Sequence, residues 1–148
     1  MKALVRCIAA ASILAAIAGC GARTPYEMSD KDKQRFVDVA RVERGGGNAP
    51  LIFGISDCTV YKAVTKDQQI VDWRVILRSD WGQQSYPKFM TACVDEHLKY
   101  SAPYVLVDMC ARAIGAGGGC NGGGTYRSRD GERWQIQGNS LRWYPLPK

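Results

Sequence analysis

The chain has 148 residues, 46% hydrophobic and 23% charged, with 20 Lys and Arg against 14 Asp and Glu. That length suits one ordinary domain with enough chain for a real core. The charge excess is too mild for a polybasic nucleic-acid tail, and no stretch carries the roughly 20 apolar residues that a membrane-spanning helix needs.

The first element is a leader. Lys2 and Arg6 precede an unbroken run, residues 8–18, of Ile, Leu, Ala and one Ser. A run of that length matches a signal-peptide core. It ends in Ile17-Ala18-Gly19-Cys20, which resembles the lipobox of bacterial lipoproteins. The resemblance implies cleavage before Cys20 and acylation of that cysteine. Residues 1–19 are then leader, 20–28 a lipidated tether, and 29–148 a single envelope domain. Each buried acyl methylene contributes about 0.8 kcal/mol, so more than one chain anchors stably. Gly21 stands where aspartate would, in the family's sorting pattern, favour the inner membrane. The resemblance therefore implies the outer membrane, with the domain facing the periplasm.

Cysteine usage fits export. Cys7 leaves with the leader and Cys20 takes lipid, so Cys58, Cys93, Cys110 and Cys120 remain. Four cysteines in an oxidising compartment imply two disulfides in one of three connectivities. The competing zinc reading, which would recruit His97, lacks a familiar Cys-x-x-Cys spacing, so no metal or other cofactor is expected.

Ser29 can cap a helix, with Asp30 and Asp32 in its first turn, Phe36, Val37 and Ala40 at helical spacing, and Gly45-Gly46-Gly47 as the stop. Strands are expected at 51–55, 59–64 and 70–77, the last two as a hairpin. In 70–77, Val71, Trp73, Val75 and Leu77 share one face, opposite Asp72 and Arg74. Residues 86–99 read as a second helix, striped by Phe89, Met90, Cys93, Val94, His97 and Leu98, and ended by Ser101-Ala102-Pro103. Residues 104–114 fit either a helix or a buried strand. If helical, 93 and 110 come level across the turn, favouring a Cys93–Cys110 bridge with Cys58–Cys120, although Cys110–Cys120 is also easy to close. Asp130-Gly131 and Gly138-Asn139 punctuate a three-strand meander at 125–129, 132–137 and 140–144. The expected fold is α+β: an antiparallel sheet, from the hairpin and the meander, with two or three helices, braced by disulfides.

Little catalytic chemistry is legible. Gly117, Gly119 and Gly122 match G-x-G-x-x-G inside a glycine run, but a meander follows where a phosphate-binding helix is needed. Asp57-Cys58 resembles the Asp-Cys-Ser-Gly nucleophile turn of NlpC/P60 cysteine peptidases. Thr59-Val60 replaces Ser-Gly, the family's Gly-His strand is absent, and a disulfide at Cys58 would quench the thiolate. His97, beside Glu96 and Cys93, reads as a partly buried helical histidine. No catalytic residue is assigned.

The meander offers the better surface. Trp134, Ile136, Leu141 and Trp143 are expected inward; Arg127, Arg129, Arg133, Gln135, Arg142 and Tyr144 are expected outward as an arginine stripe edged by an aromatic. Arginine suits carboxylates and phosphates through bidentate bonds. Expected partners are the membrane through Cys20, and an envelope protein, peptidoglycan or lipopolysaccharide through the stripe, with no nucleic acid. The function expected is non-enzymatic: a binding or structural envelope lipoprotein. The alternatives are an inhibitor or immunity protein against a wall-degrading enzyme, and an NlpC/P60-like peptidase.

Overall fold

The computed structural model describes residues 25–79, 91–114 and 119–147. Ser29 caps α1 (Asp30–Arg35), its Oγ accepting the Asp32 amide at 3.2 Å. The helix does not continue to the glycines. Phe36 turns extended, and Val37 donates its amide to the Ile55 carbonyl at 2.9 Å. From there, β1 (Asp38–Val42) alternates, burying Ala40 and Val42. Pairing with β2 (Leu51–Ser56) overrides the helical spacing of Phe36, Val37 and Ala40.

The first sheet is antiparallel in the order β1-β2-β3-β4, completed by β3 (Thr59–Lys66) and β4 (Gln69–Arg78). A two-residue turn at Asp57 and Cys58, with φ of 52° and 50°, joins β2 to β3. Register shifts beside Val60 and Val64 break the clean alternation expected in β4. Leu77 faces the core, while Trp73 lies on the outer face. There Phe36 packs its ring 4.5 Å from Trp73 and 5.5 Å from Tyr61, directly over Gly54. A Cβ at Gly54 would fall 2.6 Å from the Phe36 ring, so glycine is what lets the strap of residues 26–36 lie on the sheet.

The second sheet runs β5-β6-β7-β8-β9: β5 (Thr91–Ser101), β6 (Tyr104–Ala113), β7 (Gly122–Ser128), β8 (Trp134–Gln137) and β9 (Trp143–Pro145). The helix expected at 86–99 is a strand from residue 91 on; residues 86–90 lie outside the described residues. The ambiguous stretch 104–114 is β6, with Val105, Val107, Met109 and Ala111 buried in strict alternation. The meander is present at 122–145. The fold is α+β with antiparallel sheets, and among the described residues it has one helix rather than two or three.

One core lies between the sheets. Phe53, Ile55, Val60 and Leu77 from the first sheet meet Leu98, Val105, Val107, Tyr126 and Trp134 from the second. Burying a side chain of this size contributes about 1.5–3 kcal/mol. One disulfide and three polar ties close the sandwich edges. Along β5, Cys93 bonds to Cys58, Glu96 reaches the β2–β3 turn, and the Leu98 amide donates to Asp38 Oδ2 at 3.0 Å. That strand therefore crosses the end of the first sheet from the β2–β3 turn to the start of β1. Elsewhere, Lys62 and Arg74 hold Glu132 of the β7–β8 loop at 2.6 and 2.7 Å.

The disulfides are Cys58–Cys93 and Cys110–Cys120. The pairing Cys93–Cys110 with Cys58–Cys120 is therefore overturned. Cys93 and Cys110 do come nearly level, Cys93 opposite Ala111 and Asp95 opposite Cys110. A bulge at Val94 puts them on opposite faces: Cys93 toward the core and the first sheet, Cys110 outward toward Cys120.

Candidate ligand-binding face

In the second sheet, Arg127 lies opposite Gln135 and Leu106, so these outward side chains share a face. Pairing of Gln137 with Trp143 adds Trp143 to it, and Tyr104 joins from the start of β6. The Arg127 guanidinium lies between two rings, 4.5 Å from the Tyr104 centroid and 4.1 Å from that of Trp143. Its Nε donates to Gln135 Oε1 at 2.7 Å. Arg129 closes the group, 4.9 Å from the Tyr104 ring and donating from Nη2 to its hydroxyl at 2.9 Å. Two ring contacts and an anchored Nε restrain Arg127. No described acceptor takes its two terminal nitrogens, the edge that engages carboxylate or phosphate in bidentate fashion.

Only part of the expected stripe is here. Arg127 and Arg129 are brought together; Arg133 and Arg142 are not. Arg133 belongs to the β7–β8 loop, where its Nε donates to Asp130 Oδ2 at 3.0 Å. Arg142 is exposed in the β8–β9 loop. Tyr144 pairs with Ile136 and so takes the opposite face, while Trp143, expected inward, supports Arg127. Leu141, also expected inward, is 74% exposed. The loops cause this. A two-residue turn at Gly138-Asn139 would set Arg142 opposite Gln135, but the actual loop spans 138–142 and shifts the parity of the last strand by one. Tyr104 and Gln135 are the partners that give the site its form. The alternation of Tyr104, Leu106 and Asp108 against the buried Val105 and Val107 is the sequence signal for the first of them.

The β7–β8 loop, which joins the strands that carry Arg127 and Gln135, is tied by its own hydrogen bonds. Asp130 accepts from the Glu132 and Arg133 amides at 2.9 Å each and from the Ser128 hydroxyl at 3.1 Å. Partial burial pushes its carboxyl up, but the Arg133 and Glu132 amides, the Arg133 guanidinium and the Ser128 hydroxyl outweigh it and hold it well below the usual carboxylate range. The Lys62 hydrogen bond above all, with the charges of Lys62 and Arg74, outweighs partial burial and likewise lowers the Glu132 carboxyl.

At the opposite chemistry stands a shallow hollow of about 480 Å³ lined by Val37, Asp57, Val94, Asp95, Glu96 and His97 beside Cys93. Its groups already have partners. The Glu96 carboxylate accepts the Cys58 and Asp57 amides at 2.6 and 3.2 Å. His97, expected partly buried on a helix, is two-thirds exposed on a strand, with Asp38 and Asp95 at 3.5 and 3.3 Å from its two nitrogens. The Sγ atoms of Cys58 and Cys93 lie within 4.8 Å of a Glu96 oxygen, a spacing that suits a metal ion. Joined in a disulfide, the two sulfurs are not thiolate ligands. For the same reason Cys58 presents no nucleophile. Of the glycine motif, Gly117 lies outside the described residues, and Gly122 begins β7 rather than a helix. Cys20 also lies outside the described residues.

No protein-family model, curated protein or solved structure matches this chain.

Proposed function

We propose that this chain is a bacterial envelope lipoprotein, anchored through Cys20, whose domain binds an anionic ligand on the outer face of its second sheet. The observation that carries the reading is Arg127, clasped between Tyr104 and Trp143 with its terminal nitrogens open. The asymmetry of the two sheets supports it. Residues 26–36 strap the outer face of the first sheet through Phe36, whereas the arginine and its rings lie outward on the second. Carboxylates and phosphates are the ligands that such an edge selects. In an envelope, peptidoglycan stem carboxylates, lipopolysaccharide phosphates and acidic protein loops all offer them. The role we read is binding: an ordered guanidinium edge recognises an anion through bidentate hydrogen bonds without chemistry of its own.

The test is capture of envelope components by the wild-type protein and by Arg127→Glu/Arg129→Glu. Loss of a defined anionic component from the variant is the expected result. Identical captured sets would sink the arginine-face reading.

A further inference from the structure

Resting on that anchored, anion-binding reading, we infer that the occupant of the arginine face is the phosphate surface of the bilayer that holds the lipid, with Leu141 of the β8–β9 loop as a single apolar foot. Leu141 sits in that loop with φ of 59° and its side chain 74% exposed. Positive φ is an uncommon backbone state for leucine, and it holds this apolar side chain out from the loop. Inserted among acyl chains, the same side chain is favourable. Arg142 follows, exposed and without a described partner, and Trp143 comes next, stacked on Arg127. Apolar tip, aromatic ring and guanidinium groups in close succession match what a bilayer offers from acyl region to phosphate layer, where Trp, Tyr and Arg are at home.

Tether length makes the contact available. Tyr26 is fastened to the β3–β4 turn by its amide, which donates to the Gln68 carbonyl at 2.7 Å. Six residues from Cys20 to Tyr26 span at most about 20 Å. Tyr26 is tied to the first sheet and the arginine face belongs to the second, and stacked sheets lie about 10 Å apart, so a tether of about 20 Å reaches past the sheet edge to a bilayer under that face. At that distance weak contacts with the same membrane act at high effective concentration. The mature chain's formal charge of +4 has the sign that anionic headgroups attract.

The experiment uses the lipidated, oxidised protein reconstituted in vesicles whose acyl chains are brominated close to the headgroup. Tryptophan quenching is compared with that of Trp143→Phe to isolate the Trp143 signal. On phosphatidylglycerol vesicles Trp143 is expected to be quenched, and on phosphatidylcholine vesicles much less. Arg142→Ala and Leu141→Ser are each expected to lower the docked-to-free ratio about fivefold, the change equivalent to one weak membrane contact. Both positions are exposed, so neither substitution threatens folding. An unquenched Trp143 in protein whose mass shows acyl chains on Cys20 overturns the proposal, as does quenching that ignores headgroup charge and both substitutions. Binding of a glutamate-rich peptide with Trp143 still unquenched would assign the face to an acidic protein instead. A Cys20 without acyl chains removes the anchoring reading and this proposal with it, and the mass distinguishes that failure from the others.

Discussion

Arg127 has given up most of its rotamer freedom before any ligand arrives, and this separates it from an ordinary surface arginine. Each ring contact is worth about 0.5–1 kcal/mol at an exposed site, and both act on one guanidinium. Lysine keeps the charge but loses the planar fork and the bond to Gln135. Arg127→Lys is therefore expected to weaken anion binding about tenfold, read by titration against a phosphate-bearing ligand, while the lost Gln135 bond costs stability only about 1 kcal/mol. Asp130 supports the neighbouring loop by a different chemistry. Its folded-state ionisation lies below the ordinary value of 3.8, and that of Glu132 below 4.5. Groups shifted this way stabilise the fold fully above their unfolded values, and the contribution drains away as pH falls through the folded ones. Urea midpoints should hold above about pH 5 and decline below it. Asp130→Asn should lose about 1–2 kcal/mol at neutral pH and much less near pH 2.5, so its decline is the flatter one. An equal loss at both pH values would show that the carboxylate's charge contributes nothing.

At the scale of elements, β5 carries the lesson about legibility. Its residues Cys93, Val94, His97 and Leu98 fall at helical spacing, and nothing local contradicts a helix. In the strand, the bulge at Val94 interrupts the period of two, and Glu96 points toward the core side because it satisfies the Asp57 and Cys58 amides. The first comes from pairing with β6 and the second from the other sheet, so a window of neighbouring residues contains neither. Strands β2, β3 and β4 and the first two strands of the meander were readable as short apolar or β-branched runs between turn signals, whereas 104–114, now β6, fitted a helix equally well. The arginine face was readable in part: residue types and two of four arginines follow from β7, whereas the positions of Trp143, Arg142 and Tyr144 depend on loop length. The disulfides differ in the same local and distant sense. Cys58–Cys93 spans 35 residues and joins the sheets; Cys110–Cys120 spans 10 and closes one glycine-rich loop. Chain-entropy arguments give about 3.8 and 2.7 kcal/mol. Cys58→Ser/Cys93→Ser should thus lower unfolding free energy by about 1 kcal/mol more than Cys110→Ser/Cys120→Ser, measured by urea titration. Gly54→Ala forces Phe36 off the first sheet and should cost about 1–3 kcal/mol in the same assay.

For the whole molecule, the proposed anchor and the domain make separate demands on the chain. Cys20→Ser should move the protein from the membrane to the soluble fraction without changing the far-ultraviolet dichroism of the domain. Unaltered fractionation would refute the lipid assignment. The Cys58–Cys93 bridge also decides how the molecule bears a load. A pull at the N-terminal end first breaks the Tyr26–Gln68 bond, then peels Phe36 from Gly54 and strips β1 and β2. The chain reaches a covalent stop at Cys58, after 32 residues and about 110 Å of extension from Tyr26. Tension then crosses to Cys93 and enters the second sheet, bypassing β3 and β4 altogether. The arginine face sits beyond that stop, on strands that stay hydrogen-bonded while the front of the molecule pays out like a slack line.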